Sequence, residues 1–536
     1  MVSNPSCDDN NDVVLLFSPR WYPTFAVGDV LRASKKAAAR FRAGDLSYPH
    51  DLAIKRPMGF SVPYYSLAIA AYLKKGGFDP RIIDLQVEIS PRHRIEQHRD
   101  KILCVAIECE RPFSFAEGSA LAESLRTVLP GVPIVWFGII ASIIAEYLCK
   151  SGLADAVVRG IPEITFLETV RSYAENKSVS DVESVTCLNP DGELIENPYR
   201  PLAFEEDSPP LDYSLIPVEN YALGAGKHVV LRTSVGCASR CAFCWFPTIY
   251  GTDNKGHSAE RVIEEMARLQ AEYGLERLRF ADQSFFLKKV RVEKICQGLI
   301  DGGVKIKWEA SGQVDIFSRF SDDLLQLIAR SGCSGIQVGI ETGSPALLKL
   351  LGKPLTGDKV ITLAERLYAV GIKLIANFIF GLPGETEDDF QKSWDLIRRL
   401  QKIHPGMKID YYFYTPYPGN ALYDTLVAEG KLDREGPTDP KTYFEFTRCM
   451  EKPWFEKSYG RRVSLFYHVM AIDDFRVRHV SRKFLKLFIG AYRAYARWRV
   501  KRRFFSLAID YHLIKLCYMT RLRFRWRRAF GADLCE

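Results

Sequence analysis

Apolar residues along the chain fall into short continuous runs, separated by longer stretches in which they recur every three or four positions. Up to about residue 175 the runs at 13–17, 81–85, 102–107, 132–137 and 156–158 read as buried strands. The stretches at 66–75, 115–128 and 140–151 read as helices, the first closed by Gly76-Gly77. Strands alternating with helices of this length imply a doubly wound parallel α/β sheet, Rossmann-like, with ligands beyond the strands' carboxyl ends. A second series follows, with strands at 229–233, 277–281, 306–311, 335–340, 372–380 and 409–415. Helices at 259–273, 290–300, 321–329, 359–370 and 388–401 lie between them. Six such units imply a partial (β/α)6 barrel of TIM type, with its chemistry on the carboxyl rim.

Between the two series Pro190, Pro198, Pro201, Pro209, Pro210 and Pro217 crowd a stretch that reads as a linker packed along the body. Beyond the barrel, aromatic, aliphatic and basic residues mix without proline over 459–475 and 480–516, so helices are expected there. The expected organisation is a Rossmann-like domain over 1–175, a linker over 176–226, a barrel over 227–430 and a basic helical region over 431–536. The apolar stretch 132–147 is interrupted too soon to span a membrane, which takes roughly 20 residues.

Charge refines this outline. The net charge of +8 is carried by the tail: residues 476–536 hold 17 Lys/Arg against 3 Asp/Glu, leaving the rest of the chain acidic. Basic residues interleaved with Trp498, Phe504, Phe505 and Trp526 suit a helical cap with a solvated basic face, or an anionic membrane surface. Nucleic acid is the least favoured of the three readings. The polar, acidic N-terminus has no signal-peptide pattern. The 13 cysteines, an odd number without a secreted framework, point to a reducing interior: the cytoplasm, with peripheral contact at the inner face of the membrane as an option.

The candidate chemistry lies in Thr233-Ser-Val-Gly-Cys237-Ala-Ser-Arg-Cys241-Ala-Phe-Cys244, just past the first barrel strand. Three thiolates on one loop can hold three irons of a [4Fe–4S] cluster and leave the fourth open. Structural zinc takes a fourth protein ligand, and none stands nearby at a usual spacing. No second cysteine cluster is visible.

This loop, with Phe243 between the last two cysteines, resembles the signature of the radical S-adenosylmethionine (SAM) enzymes. The resemblance extends to the strand ends: Asp282, with Gln283 in place of a second acid; Gln313, where relatives often carry Arg; Glu341, in a segment whose acid lies near SAM; and Gly381. The upstream domain resembles the cobalamin-binding domain of one large subfamily. The matches are Met58-Gly-Phe-Ser-Val-Pro63, Tyr72-Leu-Lys-Lys-Gly-Gly-Phe78, Ile83-Asp84 and Val158-Arg-Gly-Ile-Pro-Glu163. Gly138 and Ser142 stand where the subfamily often has Gly-Gly-Pro-His-Ala-Thr, and the motif supplying a lower axial histidine is missing.

The resemblance implies a [4Fe–4S] cluster, SAM, cobalamin and an electron donor such as flavodoxin or ferredoxin. It also implies transfer of a methyl group to an unactivated carbon of a small-molecule, lipid or natural-product substrate, begun by a 5′-deoxyadenosyl radical. Relatives with the same two domains carry out oxidation, cyclisation or rearrangement instead. A binding protein with a vestigial site is the non-catalytic alternative.

Overall fold

The structure is a computed structural model. It describes residues 13–19, 62–85, 87, 91–110, 112–202, 208–221 and 228–432, together with Trp454, Ala494, Tyr495 and Trp498. Apart from these last four and the two residues that open it, the basic region over 431–536 lies outside the described residues. So does most of the segment ending at Pro63. No helix among the described residues is long and apolar enough to cross a membrane.

Two sheets organise the chain. The first contains β1 (Val13–Ser18), β2 (Asp79–Asp84), β3 (Ile102–Glu108), β4 (Ile134–Phe137), β5 (Ala156–Val158), β6 (Val185–Leu188) and β7 (Leu194–Glu196), in spatial order β2-β1-β3-β4-β5-β6-β7. The first five are parallel, and every residue of β1, β4 and β5 is buried, as the continuous apolar runs require. Order reverses between β1 and β3, so their carboxyl ends open a crevice there.

Three details differ from the sequence reading. The sheet is mixed, because β6 and β7 add an antiparallel hairpin from the stretch expected to be linker. Proline density concealed it: Pro190 sits in the hairpin's turn and Pro198 follows β7, so the prolines bracket the strands. The helix expected over 140–151 is two, Ile139–Ile143 and Ala145–Lys150. Ser142 Oγ bonds back to the Gly138 carbonyl, and Ile144 leaves helical geometry with φ −112°. Helices at Pro91–His98 and Pro162–Ala174 were not foreseen; the second starts on a proline at a first-turn position, where a missing N–H costs nothing.

The second sheet is parallel throughout, in order β15-β14-β13-β12-β11-β8. Its strands are β8 (His228–Leu231), β11 (Arg277–Phe280), β12 (Lys307–Gly312), β13 (Cys333–Glu341), β14 (Lys373–Phe380) and β15 (Lys408–Phe413). The short antiparallel pair β9 (Ser234–Val235) and β10 (Lys255–Gly256) flanks the cysteine loop. Helices start where capping residues predict. Ser258 accepts from the Arg261 amide at the head of Ala259–Tyr273, and Thr386 with Asp389 forms a capping box on Glu387–Ile403. Trp308, fully buried, is held by its Nε1 donating to the Ser331 carbonyl at 3.0 Å. Among the described residues β8 and β15 are edges, and the barrel they bound is incomplete.

Candidate active site

Every rim element begins at the end of a parallel strand. β8 runs into Thr233 and Ser234, which are tied down by Asp282 beyond β11. The carboxylate accepts from the Thr233 amide at 2.6 Å, Thr233 Oγ1 at 2.7 Å and Ser234 Oγ at 2.5 Å. Burial raises the Asp282 pKa, although these bonds pull the other way. Asp282 therefore holds the loop's entry, and its carboxylate is turned to the protein. Gln283 Oε1 accepts from the Gly236 amide at 3.1 Å. Gly236 itself has φ +95°, and a Cβ there would lie 1.7 Å from the Asp253 carbonyl oxygen, so only glycine fits.

Cys237, Cys241 and Cys244 follow, all unpaired and half-buried. Gln313, after β12, donates from Nε2 to Cys237 Sγ at 3.0 Å. The Ala242 amide donates to the Leu351 carbonyl, seating the middle of the loop on the helix Pro345–Leu350. Phe243 packs with Leu347, Leu351, Ile379 and Leu382. Burial pushes the Cys244 thiol up to about 12 and raises that of Cys241. A metal that takes them as thiolates must displace protons.

Among the described residues no group of three or more His, Cys, Asp or Glu side chains converges as a single ion requires. Zinc would draw its sulfurs to about 2.3 Å from one centre. An iron–sulfur cluster spreads its thiolates over different irons, so three thiols on an open loop without a fourth ligand fit the cluster.

Glu341 closes β13 in a conformation few side chains adopt, φ +66°, at a register shift between Gly339 and Glu341. Lys353 Nζ meets Glu341 Oε1 at 2.9 Å and the Gly339 carbonyl at 2.8 Å. Burial works against the lysine's charge, but Glu341 and Cys241 more than offset it and raise its pKa. The sequence reading did not single out Lys353 as a site residue; its only signal was its place shortly after the Glu341 segment. Gly381 has φ +82°, and a Cβ there would meet the Phe413 ring at 2.7 Å; its carbonyl accepts from Trp454 Nε1.

On the first sheet, Gly138 (φ +106°) ends β4, and a Cβ would clash with Glu110 and the Cys109 backbone. Ser142 Oγ accepts from the Gly160 amide at 3.1 Å, joining the ends of β4 and β5. At the β1/β3 crevice Ser18 and Ser66 both donate to Glu108 Oε2, at 2.7 and 2.8 Å. The two sheets meet at these ends. Ile139, Ile143 and Ile161 pack with Trp245, Phe246, Ile249 and Tyr250, directly after Cys244. Beside them Arg232, wholly buried, pairs with Glu163 and lies over the rings of Tyr64 and Tyr65 at 5.3 and 5.0 Å. Arg232 was also missed; its signal was a charge ending an apolar strand.

Gln313 is one testable element. Replacing it with leucine removes the hydrogen bond to Cys237 Sγ and with it some stabilisation of added electron density on a cluster. The reduction potential of the Gln313→Leu variant is expected to fall, with cluster content unchanged, in an electron paramagnetic resonance redox titration.

Residues 231–397 match the family model of the radical SAM superfamily. An uncharacterized methyltransferase of Pyrococcus horikoshii, PH0819, is 29% identical over 392 residues, covering 72% of this chain and 83% of that protein. The cobalamin-dependent SAM radical enzyme OxsB with aqua-cobalamin bound superposes with a TM-score of 0.69 over 96% of this chain and 75% of that one, at 16% identity. The radical SAM methyltransferase TsrM of Kitasatospora setae, solved with cobalamin and a [4Fe–4S] cluster, gives 0.59 over 78% and 75%, at 18% identity. Residues 231–397 thus match the radical SAM superfamily, and the chain as a whole has the two-sheet fold of the cobalamin-dependent enzymes OxsB and TsrM.

Proposed function

We propose that this chain is a cobalamin-dependent radical SAM methyltransferase acting on an unactivated carbon of a small molecule. One observation carries the reading: the three-cysteine loop leaves the barrel where the carboxyl ends of β4 and β5 pack against it. When bound, the cluster supplies the electron that splits SAM, and cobalamin supplies the methyl group that the substrate receives.

The chain's own residues position and shield. Cys237, Cys241 and Cys244 would hold the cluster, with Gln313 donating to the first sulfur. Asp282 fixes the loop through Thr233 and Ser234. Lys353 and Glu341 place an ammonium and a carboxylate beside Cys241, suited to the carboxylate and amine of SAM. Gly381 holds the turn after β14 in a left-handed conformation against the Phe413 ring, which would set the backbone beside bound SAM. Gly138 and Ser142 shape the turn beyond β4 that would receive the corrin's edge. Trp245, stacked on Phe246 at 4.2 Å, packs at the seam between the sheets. Electrons would come from a small redox protein such as flavodoxin or ferredoxin, with the cytoplasm as the compartment proposed.

The test is anaerobic reconstitution with iron, sulfide and hydroxocobalamin, followed by desalting. One corrin per chain is expected in the visible spectrum, and dithionite with SAM should yield 5′-deoxyadenosine. With methyl-labelled SAM and a small-molecule extract of the source cells, one product should carry the label by mass spectrometry. Loss of the corrin on desalting, or products altered without label, would shift the reading to radical oxidation or cyclisation.

A further inference from the structure

The two faces of the six-stranded sheet differ in character. Leu278, Trp308, Ile336, Leu374 and Ala376 face the outer helices and are buried in the core. Alternation along the strands puts Arg279, Glu309, Ser311, Gln337 and Asn377 on the inner face, from four adjacent strands. Closed barrels of this type fill that space with branched apolar side chains. Here, with Ile375 and Val230 as apolar exceptions, it is mainly polar, and all of these polar residues but Gln337 remain partly open to solvent. A polar lumen is built for a ligand or for water.

A hydrogen-bonded row crosses this lumen. Arg279 Nη2 donates to Gln337 Oε1, and Gln337 Nε2 donates to Asn377 Oδ1 at 2.8 Å. The chain of bonds fixes which way both amides point, and it turns the Asn377 amide nitrogen into a donor with no acceptor among the described residues. The guanidinium has five N–H groups, and one is used. No carboxylate among the described residues lies within ion-pair distance of Arg279. Glu309, its neighbour in the β11–β12 register, makes no bond to it. Other partly or wholly buried arginines do meet a carboxylate: Arg159 with Glu196, Arg200 with Glu168, Arg268 with Glu265 and Arg366 with Asp322. A half-buried guanidinium with no carboxylate bonded to it, aimed into a polar lumen, is a site for an anion supplied from outside.

We propose that Arg279, oriented by Gln337 and supplemented by Asn377, is the oxyanion-binding floor of the substrate chamber, so that the substrate carries a carboxylate or a phosphoryl-type group. The planar fork of arginine matches either oxyanion with two parallel bonds. Arg279 lies three residues before Asp282, and Gln337 four before Glu341. At about 3.3 Å per residue the floor is roughly 10 Å beneath the rim that carries the cysteine loop. The substrate's anionic end would sit deep in the lumen, with its reacting carbon toward the rim. This inference rests on the enzymatic reading given under Proposed function, and its test separates the two.

Reconstituted wild-type enzyme is titrated with benzoate, phenylphosphonate and uncharged benzamide by isothermal calorimetry, and saturation-transfer NMR confirms the contact. One anion is expected to bind and benzamide is not, and the anion that binds distinguishes carboxylate from phosphoryl recognition. Loss of charge-assisted bonds in Arg279→Gln should weaken binding about tenfold or more. Arg279→Lys, which keeps the charge and loses the fork, should fall between. Asn377→Asp, which sets a like charge beside the anion, should abolish binding while the protein retains its melting temperature. Failure of both anions to bind wild type, equal binding by wild type and Arg279→Gln, or competitive displacement by SAM would each overturn the proposal. Cluster absorbance and SAM cleavage are read in the same wild-type samples. Their absence would remove the enzymatic reading, whereas anion binding indifferent to Arg279 removes only this inference.

Discussion

Alanine at any one of Cys237, Cys241 or Cys244 is expected to eliminate iron–sulfur absorbance after reconstitution and to reduce SAM cleavage to background. Each supplies one of three thiolates, and no other His, Cys, Asp or Glu group among the described residues is gathered to take over. The loop itself should survive. Gly236, the Asp282 bonds to Thr233 and Ser234, and the Ala242–Leu351 bond hold it independently of the sulfurs. Circular dichroism and melting temperature should therefore stay near wild type in the metal-free proteins. The contrast is with Cys296 and Cys333, buried in the barrel's outer core with thiols that burial raises. Serine at either should cost stability but leave the cluster intact. A Cys241→Ala protein that still formed 5′-deoxyadenosine at the wild-type rate would refute the cluster assignment.

Leucine at Glu163 is expected to lower unfolding free energy by about 3–5 kcal/mol, because it strands a buried guanidinium. Arg232 and Glu163 expose only 4% and 8% of their side chains. The guanidinium's other neighbours are the faces of Tyr64 and Tyr65, which soften its desolvation without neutralising it. Removing both charges together, as Glu163→Leu with Arg232→Leu, should recover most of the loss, since apolar replacements of a buried pair are often neutral or stabilising. The pair joins the helix Pro162–Ala174 of the first sheet to the end of β8, five residues before Cys237. The single variant should therefore also loosen the seam between the sheets and admit water to the cysteine loop. The measurements are urea denaturation of the metal-free proteins and the half-life of cluster absorbance in air. A single variant as stable as wild type would show that this ion pair does not hold the seam.

Much of the fold was legible because its signals are local. A strand buried on both faces must be apolar throughout, so β1, β3 and β4 stood out as runs. Amphipathic helices such as Ala259–Tyr273 and Glu387–Ile403 showed their period and caps. The C-x3-C-x2-C loop was equally plain, since three ligands on one loop need no distant partner. The hairpin of β6 and β7 was hidden because proline marks a turn and a strand boundary alike, and only pairing with β5 distinguishes them. The kink at Ile144 was hidden because Ser142 bonds to backbone, which no spacing records.

By itself the sequence determined the two strand–helix series, the thiol loop and the family resemblance, all properties of residues close together along the chain. Tertiary structure alone decided what the charged and polar residues do. Asp282 is turned inward to hold Thr233 and Ser234. Lys353 is brought to Glu341 across a helix, and Arg232 finds Glu163 across 69 residues. Arg279 meets Gln337 only because β11, β12 and β13 lie side by side in register. The reason is physical. Burial of apolar residues is non-directional and leaves its mark on composition and period. A hydrogen bond or ion pair depends on a distance and an angle that exist only once the chain has folded.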